Sequence, residues 1–123
     1  MKRLPDTELE VMKALWNAGE STSRTVLETA LEPFGWVSNT VNTYLTRLEK
    51  KGFVSVERDR RGNHYTALVS QEDYQAFDSQ TVLAQLYGTP RNFVAALART
   101  GLNHNDLDQL RSLLDELEEQ TND

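Results

Sequence analysis

The chain has no cysteine. Disulfides and thiolate metal sites are therefore excluded, and the composition suits a reducing compartment. Histidine is scarce: His64 and His104 are isolated, and no serine, histidine and acid come together in a way that local sequence supports as a catalytic group. No run of ~18 apolar residues occurs, so membrane insertion is not expected. The amino-terminal Met1-Lys-Arg-Leu-Pro-Asp6 lacks an apolar signal core, and a cytoplasmic location is expected. Gly62 stands alone rather than in a phosphate-binding glycine loop. The acids between Asp115 and Glu119 read as a solvated helix face. No enzymatic activity, cofactor or metal is expected from these residues.

What remains is a chain of 123 residues, 38% apolar and 26% charged, enough for one small domain with an appendage. Its net charge of −6 argues at first against nucleic acid, but the charge is segregated. Residues 1–69 hold ten Lys and Arg against nine Asp and Glu, whereas residues 70–123 hold three against ten. Arg47, Lys50, Lys51, Arg58, Arg60 and Arg61 cluster within fifteen residues, a local basic patch of the kind that phosphate contacts need.

The most informative stretch runs from Trp36 to Gly52. Val41, Leu45 and Leu48 recur at i, i+4 and i+7, an apolar stripe that must pack on something. Ser38 is the expected N-cap and Gly52 the expected stop. The opposite face carries Asn39, Thr40, Asn42, Thr43, Thr46, Arg47 and Lys50, with no acid among them. Short hydrogen-bonding groups on such a face suit the floor of a DNA major groove, while Arg and Lys suit phosphates. A merely solvated helix would look similar, so the flanking sequence decides.

Before this stretch, Asp6 is expected to cap a helix burying Leu9, Met12, Leu15 and Trp16 and ending at Gly19. Glu20-Ser-Thr22 then reads as a connection, with Thr22 capping a second helix over about 23–32. Val26, Leu27, Ala30 and Leu31 should point inward there, and Pro33 should stop it. Trp16 and Trp36 read as core residues. After Gly52, β-prone runs from Phe53 to Arg58 and from His64 to Val69 flank Asp59-Arg-Arg-Gly-Asn63, the pattern of a β-hairpin with a basic tip. Three short helices and such a hairpin make a winged helix-turn-helix. Winged domains also serve as protein-interaction modules or bind DNA without specificity. The acid-free polar helix face together with the arginine-rich tip favours specific DNA binding.

The carboxy-terminal half reads as three amphipathic helices. Ser70-Gln-Glu-Asp73 opens the first, which runs to about Tyr87 before Gly88. Thr89-Pro90 opens the second, which runs to about Thr100, and Asn103-x-x-Asp106 opens the third. Leu107, Leu110, Leu114 and Leu117 then repeat at the 3-4-3 spacing of a coiled-coil seam. About fifty residues in three helices make a thin core alone, so a homodimer is expected, with Leu86, Phe93, Val94, Leu97, Leu110, Leu114 and Leu117 between chains. Residues from Glu116 to Asp123 should fray. The expected fold is mainly α with a small β-hairpin wing: a winged helix-turn-helix domain over 1–69 followed by a helical dimerisation region over 70–123. Asn39, Thr40, Asn42 and Thr43 are the candidate base contacts. Ser38, Thr46, Arg47, Lys50, Arg58, Arg60 and Arg61 are the candidate phosphate contacts.

Several stretches resemble the penicillinase-repressor (BlaI/MecI/CopY) family: Leu4-Pro-Asp-Thr-Glu-Leu-Glu-Val-Met-Lys-Ala-Leu-Trp16, Thr40-Val-Asn-Thr-Tyr-Leu-Thr-Arg-Leu-Glu-Lys-Lys-Gly52, Tyr65-x-x-Leu-Val-Ser70 and Leu107-Asp-Gln-Leu-Arg-Ser-Leu-Leu114. They follow the family's order over nearly the whole chain. The resemblance implies a homodimeric bacterial repressor on a palindromic, double-stranded DNA operator, relieved by disruption of its dimerisation region. Penicillinase-type members are cut between an Asn and a Phe, downstream of a membrane metallopeptidase sensor. Here Ala96-Leu97 takes the place of that pair, and Asn92-Phe93 falls one helical turn early. Copper-type members use a carboxy-terminal Cys-x-Cys pair, which a chain without cysteine does not have.

Overall fold

The computed structural model describes residues 1–19 and 21–121; Glu20, part of the expected connection, and the last two residues of the expected frayed tail lie outside the described residues. Helix α1 spans Asp6–Ala18 and buries Glu8, Val11, Met12 and Leu15, at the i, i+3, i+4, i+7 spacing of one helix face. The expected stripe was rotated relative to this: Leu9 and Trp16 lie at the edge of the core, partly buried. Pro5, not Asp6, is the N-cap, and Asp6 instead begins the helix, where its charge meets the positive end of the dipole.

A two-residue strand, β1 (Thr22–Ser23), precedes α2 (Arg24–Ala30). Thr22 is therefore not a cap. It pairs with Tyr65 and is buried, and the Ser23 hydroxyl takes the Val26 amide at 3.3 Å. Leu27 and Leu31 enter the core, but Val26 and Ala30 face solvent, because a helix of seven residues offers only one inward line. Pro33 does end the α-helix region, sitting in a 3₁₀ turn over Glu32–Phe34.

Helix α3 spans Ser38–Lys50 and buries Val41, Leu45 and Leu48, as the periodicity required. It closes on Gly52 at φ +82°, with the Gly52 amide on the Glu49 carbonyl (3.1 Å) and the Phe53 amide on the Leu48 carbonyl (2.9 Å). Only a residue at ease in the left-handed region completes this crossed pair of bonds, and Phe53 and Leu48 are both buried beside it. Strands β2 (Val54–Asp59) and β3 (Gly62–Ala67) form the hairpin, and the antiparallel order is β1-β3-β2. Asp59 is paired with Gly62, so the tip is shorter than expected and consists of Arg60 and Arg61. The Asp59 carboxylate accepts the Arg61 amide at 2.8 Å, and Gly62 takes φ +113°.

Two compact units divide at Ser79/Gln80. The first takes in the start of α4 (Gln71–Val82), whose Tyr74 is buried against Trp16 and Phe53. The Tyr74 hydroxyl accepts the Leu4 amide at 2.8 Å, and Arg3 meets Asp78 at 2.6 Å, so both chain segments are tied to one core. Ser70 caps α4 through the Asp73 amide at 3.0 Å, as its sequence implied. The second unit continues as a π turn over Leu83–Tyr87, then α5 (Pro90–Thr100) and α6 (His104–Thr121). Thr89 caps α5 through the Asn92 amide, and Asn103 and Asp106 cap α6 reciprocally at 2.8 and 3.1 Å. Residues 116–121, expected to fray, are helical. Among the described residues no helix is long and apolar enough to cross a membrane.

One charged pair is built into the first core. The Glu8 carboxylate, 2% exposed, accepts from the Lys51 ammonium at 2.6 Å, joining α1 to the end of α3. Removing the lysine would strand a buried charge. Lys51→Met should therefore cost about 2 kcal/mol or more, below the ~3–5 of a fully buried pair because water still reaches the lysine. Glu8→Gln, which keeps a hydrogen bond, should cost less. Urea unfolding of the two variants beside the parent chain checks this order.

Candidate nucleic-acid interface

Burial of Val41, Leu45 and Leu48 leaves the other side of α3 outward. Asn39, Asn42, Thr43, Thr46, Arg47 and Lys50 are all exposed, and Thr40 is half-buried at the edge. The Thr43 hydroxyl donates to the Asn39 carbonyl at 3.0 Å, so its methyl and a lone pair remain for a partner. The helix begins differently from the expectation. Val37 is the N-cap, and no side chain among the described residues caps the turn. The Ser38 hydroxyl is instead drawn to the Glu28 carboxylate of α2, to which it donates at 2.6 Å.

The anchor of this corner is a residue that sequence reasoning passed over. Arg24 is the first residue of α2. Its guanidinium donates to Glu28 Oε1 (3.1 Å), Asn42 Oδ1 (3.1 Å), the Ser38 carbonyl (2.7 Å) and the Tyr65 hydroxyl (3.4 Å). Asn63 donates to the same tyrosine oxygen at 3.4 Å. One cation thus ties α2, the start of α3 and the wing strand β3 together. A signal was present: a cation at the start of a helix opposes the dipole, and so needs a partner elsewhere. Glu28, one turn on, is the local partner; the others lie 14 to 41 positions away.

Along the other edge, α3 and the wing enclose a narrow cleft lined by Asn42, Thr46, Glu49, Arg58, Asn63 and Tyr65. Arg58 makes a two-point bond to Glu49 at 3.1 and 3.3 Å, and that carboxylate raises the guanidinium above its ordinary pKa. Its charge is locally compensated. Arg60 and Arg61 stand exposed at the tip. The expected base-contact and phosphate-contact residues are exposed in the first unit apart from the half-buried Thr40, and Ser38, Asn42, Thr43 and Arg58 already make bonds within the chain.

In the second unit, no described residue of α5 or α6 is buried. Phe93 and Val94 are each 38% exposed, Leu97 42%, Leu114 58% and Leu117 45%. Leu86 is more open still, and Leu110 is half-buried. Leu113, not singled out from the sequence, is also exposed. Tyr87 packs edge-on against Phe93 at 5.0 Å. Ala96 and Leu97 lie inside α5.

The family described as Penicillinase repressor matches residues 4–116. The penicillinase repressor of Bacillus licheniformis is 31% identical over 121 residues, covering 94% of each chain. The methicillin resistance regulatory protein MecI of Staphylococcus aureus is 25% identical over 113 residues, covering 90% of this chain and 92% of that one. An uncharacterised 16.5 kDa protein of Latilactobacillus sakei is 31% identical over 110 residues, covering 88% of this chain and 75% of that one. Among solved structures, the DNA-binding domain of the repressor BlaI is 33% identical with a TM-score of 0.52, over 60% of this chain and 94% of that domain. A MarR family protein from Bacillus stearothermophilus, 13% identical with a TM-score of 0.52, shares the fold over 99% of this chain and 78% of its own.

The Arg58–Glu49 pair yields a test of which charges meet phosphate. Glu49→Gln would release Arg58 without moving α3. Affinity for duplex DNA should rise at low salt, and the slope of log affinity against log salt should steepen by about one unit. An unchanged slope in a salt-series titration would mean that Arg58 lies away from the backbone.

Proposed function

The chain belongs to the penicillinase-repressor family, and on that premise we propose that it is a transcriptional repressor that binds a palindromic operator as a homodimer in the cytoplasm. The observation that carries the reading is the outward face of α3: six exposed polar or basic residues with no acid among them, next to a wing tip of two exposed arginines. Asn39, Thr40, Asn42 and Thr43, on the first two turns, are assigned to base edges. Ser38, Thr46, Arg47, Lys50, Arg60 and Arg61 are assigned to phosphates, and Arg58 joins them when it exchanges Glu49 for the backbone. Phosphate contacts position the protein, and base contacts specify the sequence.

Homodimerisation is supported by the apolar residues that α5 and α6 leave uncovered. Leu86, Phe93, Val94, Leu97, Leu110, Leu114 and Leu117 are assigned to the interface. A second copy offers the same surface in return, as a two-fold contact requires. Two winged domains held together read two half-sites at fixed spacing. Any event that loosens this region then lowers operator occupancy without touching α3. A membrane metallopeptidase is the upstream partner that the family suggests. In this chain the bond at Ala96–Leu97 lies within a helix, so cutting it needs local unwinding of α5, because a helical segment does not present an extended backbone.

Two variants test the two halves of the reading on duplexes selected from a random pool. Asn42→Ala should cost about 1–3 kcal/mol on the preferred duplex and relax preference at one base position. Retention of the full preference profile would remove the base-reading role. Leu114→Asp places a charge on the exposed seam, where it leaves the fold of each chain intact. It should sediment as a monomer and lose roughly 10²–10⁴-fold in affinity for a two-half-site duplex, with little change on a single half-site. A parent chain that is monomeric at micromolar concentration, or a monomeric variant that binds the full site equally well, would overturn the dimeric mechanism. Failure of the parent chain to bind any duplex would leave the winged domain as a protein-interaction module, and binding without preference would make it a nonspecific DNA binder.

A further inference from the structure

We infer that Arg24 decides which base Asn42 reads, by holding the amide of Asn42 with its oxygen turned toward α2 and its nitrogen turned outward. The inference rests on the assignment of α3 to base reading. A guanidinium has only donors, so the atom of Asn42 that faces it at 3.1 Å must be the amide oxygen. Arg24 is itself immobilised, by Glu28 through Nε and by the Ser38 carbonyl through Nη2 at 2.7 Å. Its side chain is only 23% exposed, and four bonds from one planar group restrict its rotation. Asn42, by contrast, is exposed; Arg24 takes one of the two lone pairs of its oxygen, and its NH₂ group makes no bond among the described residues.

This changes the chemistry of readout. An unconstrained asparagine pairs with adenine by presenting oxygen and nitrogen side by side, accepting from N6 and donating to N7. An amide whose oxygen is held toward a guanidinium presents that edge less readily, because one lone pair is taken and the oxygen is drawn toward α2. Its two N–H groups instead match a base edge made only of acceptors. Guanine offers two, O6 and N7, and thymine one, O4, whereas cytosine offers a donor. The Arg24–Asn42 pair should therefore favour guanine where Asn42 alone would favour adenine. Arg24 is a positioning residue here: it acts through Asn42 and needs no contact of its own with DNA.

The experiment uses the full chain and a duplex pool randomised over the selected site. The position read by Asn42 is identified as the one whose preference Asn42→Ala flattens. At that position the parent chain should favour guanine over adenine. Arg24→Met should raise adenine relative to guanine by roughly tenfold there and leave the preference at other positions unchanged. In the Asn42→Ala background, Arg24→Met should do nothing further to that position. Arg24→Gln, which also removes the guanidinium while keeping a polar partner for Glu28, makes the same test should Arg24→Met melt below assay temperature. A parent preference for adenine, or an Arg24 variant that weakens every sequence alike at constant adenine-to-guanine ratio, would overturn the inference and leave α3's base reading intact. If no position responds to Asn42→Ala, the base reading fails and the inference falls with it.

Discussion

Val41, Leu45 and Leu48 are almost fully withdrawn from water and share one core with Val11, Met12 and Leu15 of α1. Burying an aliphatic side chain of this size is worth about 1.5–3 kcal/mol, so rotating α3 about its axis would forfeit most of what holds it in place. The rotation is what matters for the outer face. At 3.6 residues per turn, fixing those three inward fixes Asn39, Asn42, Thr43, Thr46, Arg47 and Lys50 outward. The ends of the helix are pinned separately. At its carboxy end the crossed bonds around Gly52 close the last turn, and the Lys51–Glu8 pair holds it to α1. At its amino end Arg24 binds the Ser38 carbonyl and the Asn42 amide. A reading surface gains from such rigidity, because side chains already ordered lose less freedom when a partner arrives.

Much of this was legible because it is local. The 3.6-residue period of α3, the glycine at its end, the β-prone runs around a short turn, and the caps at Ser70, Thr89 and Asn103 each depend on residues within one or two turns of one another. The expectations that moved did so for long-range reasons. Thr22 has the chemistry of an N-cap, but pairing with Tyr65 draws it into a third strand, and the cap passes to Ser23. Ser38 has it too, but its hydroxyl goes to Glu28, ten residues earlier. The inward face of α1 was misjudged because Glu8 counts as polar in any hydropathy pattern. It is buried only because Lys51 reaches it from 43 residues away. Arg24 and Tyr65 were passed over for the same reason: their partners are distributed over α2, α3 and β3.

The acids of the first unit help explain how a chain of net charge −6 presents a basic face. Glu8 is bound to Lys51, Glu28 to Arg24 and Ser38, Glu49 to Arg58, and Asp78 to Arg3. Each carboxylate so engaged is set beside its own countercharge. Arg47 and Lys50 stand exposed on α3, and Arg60 and Arg61 stand exposed at the tip of the wing. With a screening length of about 10 Å in ordinary buffer, a phosphate responds to these four far more than to acids elsewhere in the chain. The formal total is thus a poor guide to the partner, and the arrangement of pairs a better one.

The excess of acid in residues 70–123 has a different consequence on the reading proposed above. Asp115, Glu116, Glu118 and Glu119 share α6 with the exposed leucines. Two copies joined through that seam bring like charges together, and the apolar contact has to outweigh their repulsion. Salt screens that repulsion, so it favours the dimer. The same salt weakens binding of Arg and Lys to phosphate, since each counterion released gains less entropy in a more concentrated solution. Ionic strength then pulls the two halves of the function in opposite directions. On that reading the operator complex would need both, and neither the basic face nor the leucine seam would suffice alone. Such a balance would make occupancy sensitive to changes in the carboxy-terminal helices, because losing the link between subunits removes the high effective concentration of the second winged domain at its half-site.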